Sequence, residues 1–128
     1  MPVVTLEECT QTLQDFEERF FLFKKEIENL NDQFVDMLMS KYTKGIAHKH
    51  TSNVKLFIIY LESSKDIFEL KDLSKDKLNI RFRAWCRSKV WNADSDRVIK
   101  TSLKKFFKFV ASLKNEHEVE AKRILLLL

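Results

Sequence analysis

The sequence contains only one glycine and one proline among its 128 residues. Tight turns depend on glycine, which adopts positive φ, and on proline, which fixes φ, so a sheet with several hairpins would lack its turn residues. Short polar links between helices need neither residue. The composition therefore predicts an all-α protein, a bundle of about five to seven helices, and its 45% hydrophobic content is enough for one core.

Cysteine and histidine are also scarce, with two and three residues respectively. Cys9 and Cys86 are far apart and lie on apolar helical faces, which indicates two reduced core residues and a cytoplasmic location. His48 and His50 are two residues apart, a spacing that does not place them on one helix face to share a metal with His117. We expect no cofactor and no metal.

The chain has neither a long apolar run nor a glycine-rich motif. The terminal run 124–128 is far shorter than the roughly 17–25 residues that span a bilayer, and the first residues do not have the pattern of a leader peptide. A phosphate-binding loop requires several glycines. We therefore expect no membrane partner, no small-molecule substrate and no enzymatic activity.

Charge divides the chain into three segments. Residues 1–47 contain five Lys and Arg against nine Asp and Glu, residues 48–114 contain sixteen against seven, and residues 115–128 contain two against three. The predicted parts are an acidic N-terminal helical segment, a basic helical domain and a C-terminal helix or tail. The excess of positive charge in the middle segment favours a polyanion as partner, such as a nucleic-acid backbone.

An apolar stripe with heptad spacing begins after a capping-box sequence, Thr5 to Glu8. It consists of Leu6, Cys9, Leu13, Phe16, Phe20, Phe23, Ile27 and Leu30. The pattern predicts a long acidic amphipathic helix whose apolar face packs on the rest of the chain or on a second copy. A homo-oligomer is expected, and the predicted self-association residues are Leu13, Phe16, Phe20, Phe23, Ile27, Leu125 and Leu128.

The end of this helix has two interpretations. Asp32 can cap a new helix, which Gly45 would terminate by adopting a left-handed conformation. The stripe can also continue through Phe34 and Met37 as one helix. We favour the break and place the segment boundary near residue 47.

Three helix starts follow, at Thr51 or Ser52, at Ser74, and at Asp94 or Ser95. The last of these helices carries two stripes. The apolar one contains Ile99, Leu103, Phe106, Val110 and Leu113. The polar one contains Arg97, Thr101, Lys104 and Lys108, with Lys100 and Lys105 beside it.

Residues 51–110 resemble the N-terminal core-binding, SAM-like domain of tyrosine recombinases and phage integrases. The similarity is carried by TSNVKLFIIYL, by the helix start LSKDKL that leads to RFRAWCRSK, and by SDRVIKTSLKKFFKF. The last stretch is the most specific. The resemblance implies a four-helix domain whose first and last helices face the major groove of DNA.

Transferred to this sequence, the resemblance assigns DNA contacts to residues of the first and last helices. These are Thr51, Asn53, Lys55, Ser95, Arg97, Lys100, Thr101 and Lys104, and the spacing adds Lys108. Lysine and arginine neutralise phosphates, and Arg, Asn and Thr can also contact base edges. Duplex DNA is the expected partner.

Catalysis is not implied, because recombinases cut DNA with a tyrosine in a separate downstream domain. Tyr42 and Tyr60 lie in apolar stripes. Our leading hypothesis is a non-catalytic, self-associating DNA-binding protein with an integrase-like fold. Two alternatives stay open: a helical oligomeric structural or adaptor protein that acts through protein contacts, and a remnant or fragment of a recombinase.

Overall fold

A computed structural model describes residues 5–64, 66–90 and 94–128, and every regular element in these ranges is helical. Five α-helices are present: α1 (Leu6–Lys41), α2 (Lys44–Ser64), α3 (Phe82–Lys89), α4 (Asp96–Ser112) and α5 (Glu118–Leu127). A 3₁₀ turn, Leu70–Asp72, and a π-helical turn, Asp76–Arg81, connect α2 to α3. The predicted all-α bundle is confirmed.

Helix α1 is a single helix of 36 residues. The predicted capping box begins it: Glu8 N–H donates to Thr5 Oγ1 at 3.1 Å, and Thr5 N–H donates to Glu8 Oε2 at 3.2 Å. The predicted break at Asp32 is wrong. Its weak helix propensity is outweighed because Leu30, Phe34 and Leu38 on the same face are buried in the core.

The link between α1 and α2 also differs from the prediction. Helix α1 ends with an extended residue, Tyr42, and Gly45 lies inside the first turn of α2 without positive φ. Tyr42 already ends α1, and Thr43 Oγ1 accepts the N–H of Ile46 at 3.4 Å in the first turn of α2, so Gly45 takes no part in stopping α1. The predicted boundary near residue 47 therefore falls within a helix, and the predicted start at Thr51 lies two turns into it.

One core joins all three charge segments of the sequence. Helix α4 packs against α1, α2 and α5, and α1 packs along α2. Fully buried side chains come from each segment, including Phe34, Phe57, Phe106 and Ile124. The three segments differ in charge and share this core.

The C-terminal leucine run packs on the body of its own chain. Ile124 is fully buried, and Leu125, Leu127 and Leu128 pack partly buried against the core. Arg123 fixes α5 by donating from both guanidinium NH₂ groups to the carbonyls of Leu70 and Leu73, at 2.9 and 2.8 Å. Leu125 and Leu128 therefore make intramolecular contacts, and their self-association stays a prediction.

The described helices include none that is long and apolar enough to cross a membrane.

Truncation of Phe57 should destabilise the fold strongly, because its fully buried ring packs against Phe82 and Phe107. We expect Phe57→Ala to lower the free energy of unfolding by about 3–5 kcal/mol in urea titrations followed by circular dichroism. Phe21→Ala is the matched control, since this ring is 58% exposed, and its cost should stay below about 1 kcal/mol. Equal losses in the two variants would contradict the assigned core.

Candidate nucleic-acid interface

Helix α4 presents a basic row on the side opposite its buried stripe. Ser95 caps the helix by accepting the N–H of Val98 at 3.4 Å, which fixes its first turn. Ile99, Leu103, Phe106 and Val110 are buried, so the residues half a turn away must face solvent. Those residues are exposed and form what we call the α4 row: Arg97, Thr101, Lys104 and Lys108.

The cations of the α4 row are not neutralised within the described chain. None of Arg97, Lys104 and Lys108 forms an ion pair with a described carboxylate. The row runs about 16 Å along the helix, at 1.5 Å per residue. It therefore offers three free positive charges on one straight, rigid element.

Other cations of the middle segment are bound to carboxylates. Asp96 Oδ2 lies 3.2 Å from Nε of Arg83 and 2.9 Å from an NH₂ group of Arg87. Asp66 similarly pairs with Arg81 at 2.9 Å, and this hydrogen-bonded partner lowers the pKa of the Asp66 carboxyl against the opposing effect of its burial. These three arginines therefore hold the connection between α2 and α4.

Lys100 flanks the α4 row, one turn from both Arg97 and Lys104, whereas Lys55 lies away from it. Lys100 is half-buried beside Arg83 and Asp96, in a hollow between α3 and α4. Lys55 is exposed but lies across α2, in a groove between α1 and α2 that also contains Glu28 and Glu62. Of the predicted DNA contacts, the structure brings together the members of the α4 row with Lys100 beside them, and Ser95 serves as the cap of the helix.

Thr51 and Asn53 are buried and do not belong to any exposed face, which corrects their assignment as DNA contacts. Thr51 Oγ1 donates to the carbonyl of Ala47 at 2.9 Å. Asn53 Nδ2 donates to Ser102 Oγ at 3.0 Å and to Asp94 Oδ2 at 3.1 Å. The hydroxyl of Thr51 is used within α2, and the amide of Asn53 holds α2 against α4.

A buried polar cluster at this helix contact was not predicted from the sequence. His50 Nδ1 lies 2.8 Å from Ser102 Oγ, and Ser102 is fully buried. His50, Asn53 and Phe57 follow the 3–4 spacing of one helix face, so extending the apolar stripe of α2 towards its N-terminus would have found the cluster. Its role is structural, because Ser102 is fully buried and its hydroxyl is hydrogen-bonded to His50 and Asn53.

The pKa of His50 is lowered, first by burial and then by the positive charges of Lys105 and Lys49, while Asp94 acts in the opposite direction. Lys49 acts on His50 as its neighbour in the chain and is itself exposed on α2.

The three histidines are not grouped. His117 Nε2 pairs with Glu26 of α1 and lies 3.5 Å from Glu116 Oε1, whereas His50 is bound to Ser102. Donor atoms of Glu26, Glu116 and His117 lie within 4.8 Å of one another, close enough to share a cation. The ion pair between His117 and Glu26 is sufficient to explain why these side chains lie close together, because it holds α1 against the link between α4 and α5.

The predicted self-association residues of α1 separate into two groups. Phe23 and Ile27 are buried in the core of their own chain, which corrects their assignment. Leu13 is 62% exposed, Phe20 is half-buried, and Phe16 is exposed although it stacks on Phe68 with ring centroids 5.5 Å apart. Every residue from Thr5 to Arg19 is exposed, so the first turns of α1 extend beyond the body.

No family model matches the chain, and neither the curated proteins nor the solved structures contain a significant match to it.

The stability of the fold should depend on the protonation of His50. Its folded pKa is below the value of 6.5 for a free side chain, so the unfolded chain takes up the proton first as the pH falls. The free energy of unfolding should therefore decrease from pH about 7.5 to about 5.5. Urea titrations of His50→Gln should lose this component. The exposed-site control His48→Gln should keep it, and an unchanged pH dependence in His50→Gln would contradict the assignment.

The two cysteines should differ in reactivity. Burial, with a smaller contribution from Asp96, raises the pKa of the Cys86 thiol to about 11, whereas Cys9 is exposed on α1 rather than in the predicted core. A disulfide reagent at pH about 8 should label Cys9 rapidly and Cys86 only upon unfolding, because the thiolate is the reactive form. The labelled peptide can be identified by mass spectrometry. Equal native rates would contradict the burial of Cys86.

Proposed function

We propose that this chain is a non-catalytic DNA-binding protein that contacts the duplex with the α4 row. The observation that carries the proposal is the exposure of Arg97, Lys104 and Lys108 on one helix face without ion-pair partners among the described residues. These cations already lie on a folded helix, so little backbone entropy is lost when they bind phosphates. The release of counterions from the nucleic acid then supplies the driving force.

The shape of α4 supports duplex DNA as the ligand. A major groove about 12 Å wide admits an α-helix, and the row of about 16 Å is long enough to meet phosphates at both edges of the groove. Arg97 and Thr101 are one turn apart and would additionally contact base edges, Arg97 as a donor and Thr101 as an acceptor, since the Thr101 hydroxyl already donates to the carbonyl of Arg97 at 2.9 Å. Lysines 104 and 108 would act chiefly on phosphates.

The resemblance to integrase core-binding domains agrees with this proposal for α4 and not for α2. In that family the first and last helices both face the duplex, yet Thr51 and Asn53 are enclosed between α2 and α4 here. The proposal therefore depends on the α4 row, and a relationship to recombinases is an additional hypothesis. The two free cysteines support a reducing, cytoplasmic location for such a protein.

Neutralising the α4 row should weaken DNA binding and its salt dependence together. We expect the triple variant Arg97→Gln, Lys104→Gln, Lys108→Gln to reduce the slope of log K against log salt by about 2.7, since each phosphate contact contributes about 0.9. Fluorescence anisotropy with a labelled duplex, measured over a salt series, gives this slope.

The matched control is the triple variant Lys25→Gln, Lys55→Gln, Lys122→Gln, which removes the same net charge from exposed positions outside the α4 row. It should keep most of the slope. An equal effect of both variants would indicate a general charge effect, and absence of binding by the unmodified protein at low salt would overturn the proposal.

A second candidate function is self-association or adaptor activity through α1. The supporting observation is the exposure of apolar side chains on the part of α1 that extends from the body, with Leu6 84% and Leu13 62% exposed. Apolar groups at heptad spacing on an otherwise charged helix are typical of a protein contact surface. This function does not require DNA binding, because the exposed start of α1 and the α4 row lie on different helices.

A further inference from the structure

The start of α1 combines exposed apolar side chains with strong negative charge. We call residues 5–21 the α1 tip. It contains five acidic residues against one arginine. Its exposed apolar side chains are Leu6, Cys9, Leu13, Phe16 and Phe21. A binding surface that complements the tip would therefore have an apolar floor and a positively charged rim.

Pairing of two tips side by side is disfavoured by this charge. Each tip would bring a net charge of −4 to a parallel contact, and like charges across helices oppose association. The single basic residue of the tip is Arg19, and its guanidinium already lies 4.8 Å above the ring of Phe68. A basic surface elsewhere complements the tip better than a second tip does.

Such a surface lies at the other end of α1. A groove between the last turns of α1 and the second half of α4 has an apolar floor of Met37 and Phe109, which are both half-buried, and is also lined by the fully buried Leu38. Its other lining residues are Lys41, Tyr42, Lys105, Lys108 and Ser112. Lys105 Nζ lies 5.2 Å above the centre of the Tyr42 ring, so aromatic and cationic groups meet at the rim. We call this surface the basic groove.

The tip cannot reach the basic groove of its own chain. Both lie on α1, which is unbroken from Leu6 to Lys41. Leu13 and Met37 are separated by about 36 Å along the helix axis, at 1.5 Å per residue. A continuous helix cannot fold back over that distance, so the groove that a tip enters must belong to another molecule.

We propose that the α1 tip of one copy docks in the basic groove of a second copy. Apolar side chains of the tip, led by Leu6 and Leu13, cover the floor, and its carboxylates face Lys41, Lys105 and Lys108. The contact joins two different surfaces, so every dimer keeps one free tip and one free groove. Assembly therefore continues to a closed ring or to a filament.

This inference rests on the self-association proposed above and specifies its contact. It is independent of DNA binding, although Lys108 belongs to both the α4 row and the basic groove. Because of that shared lysine, bound duplex and a docked tip should compete with each other.

Separate variants of the two surfaces test the proposal. Leu6→Gln with Leu13→Gln removes the apolar stripe of the tip, and Lys105→Glu with Lys108→Glu reverses the rim of the groove. Each variant alone should sediment as a monomer in analytical ultracentrifugation, over a concentration range in which the unmodified protein associates. An equimolar mixture should form dimers and nothing larger, because only one intact tip and one intact groove remain.

A charge exchange provides a second measurement. Adding Glu17→Lys and Glu18→Lys to the groove variant should restore association, and raising the salt concentration should weaken association of the unmodified protein. Arg97→Glu with Lys104→Glu is the matched control on α4, since it reverses two charges outside the groove and should leave assembly unchanged. Circular dichroism verifies that each variant is folded.

Three results would overturn the inference in distinguishable ways. An unmodified protein that stays monomeric would remove self-association itself. Association that persists in the groove variant and becomes stronger with salt would instead indicate contacts between tips. Loss of association in the Arg97 and Lys104 control as well would show that association depends only on the net charge of the protein. The DNA titration described above is unaffected by all three results.

Discussion

Two adjacent phenylalanines of α4 hold the bundle together. The ring of Phe106 packs edge-on to Phe34 of α1 at 5.5 Å between centroids, and the ring of Phe107 packs edge-on to Phe57 of α2 at 6.1 Å. Neighbouring positions on a helix point about 100° apart, so this pair sets α4 between the two long helices and fixes its rotation about its own axis. With that rotation fixed, the side chains of Arg97, Lys104 and Lys108 point into solvent. The candidate interface is thus a consequence of the core.

Polar contacts add specificity to this apolar arrangement. The side chains of His50, Asn53 and Ser102 satisfy one another between α2 and α4, and a shift of either helix by one residue would leave buried groups without partners. The cluster is held at the edge of a basic region, since Lys105 and Lys49 both influence His50. The fold therefore keeps a neutral histidine close to the surface that would bind an anion. Negative charge docked there would lessen the effect of the lysines on its pKa.

The sequence correctly predicted the features that depend on interactions between neighbouring residues. The capping box at Thr5, the cap at Ser95 and the opposite faces of α4 follow from neighbouring residues, and the structure confirms them. The break at Asp32 failed because the burial of Phe34 and Leu38 outweighs weak helix propensity, and the stop at Gly45 failed because α1 ends earlier, at Lys41. A continuous stripe cannot reveal which part is core, and so Phe23 and Leu13 were grouped although only Phe23 is covered. The assignment of Thr51 and Asn53 as DNA contacts, which followed from the resemblance to integrases, failed for the same reason. Similarity of sequence pattern does not show which side chains are buried.

The length of α1 has a consequence for how its first turns behave. A separate peptide of about 15 residues would be marginally helical in water, because forming the first turn fixes several dihedral angles for a single hydrogen bond. In this chain the buried half of α1 supplies that first turn, so the exposed half adds residues to an existing helix and fraying from Thr5 is its main motion. A partner therefore meets a surface that is already ordered, and little conformational entropy is lost upon binding. Weakening the core around Phe34 would make the exposed start of α1, more than 30 Å away, less ordered. Specific binding at one end of the helix therefore depends on packing at the other end.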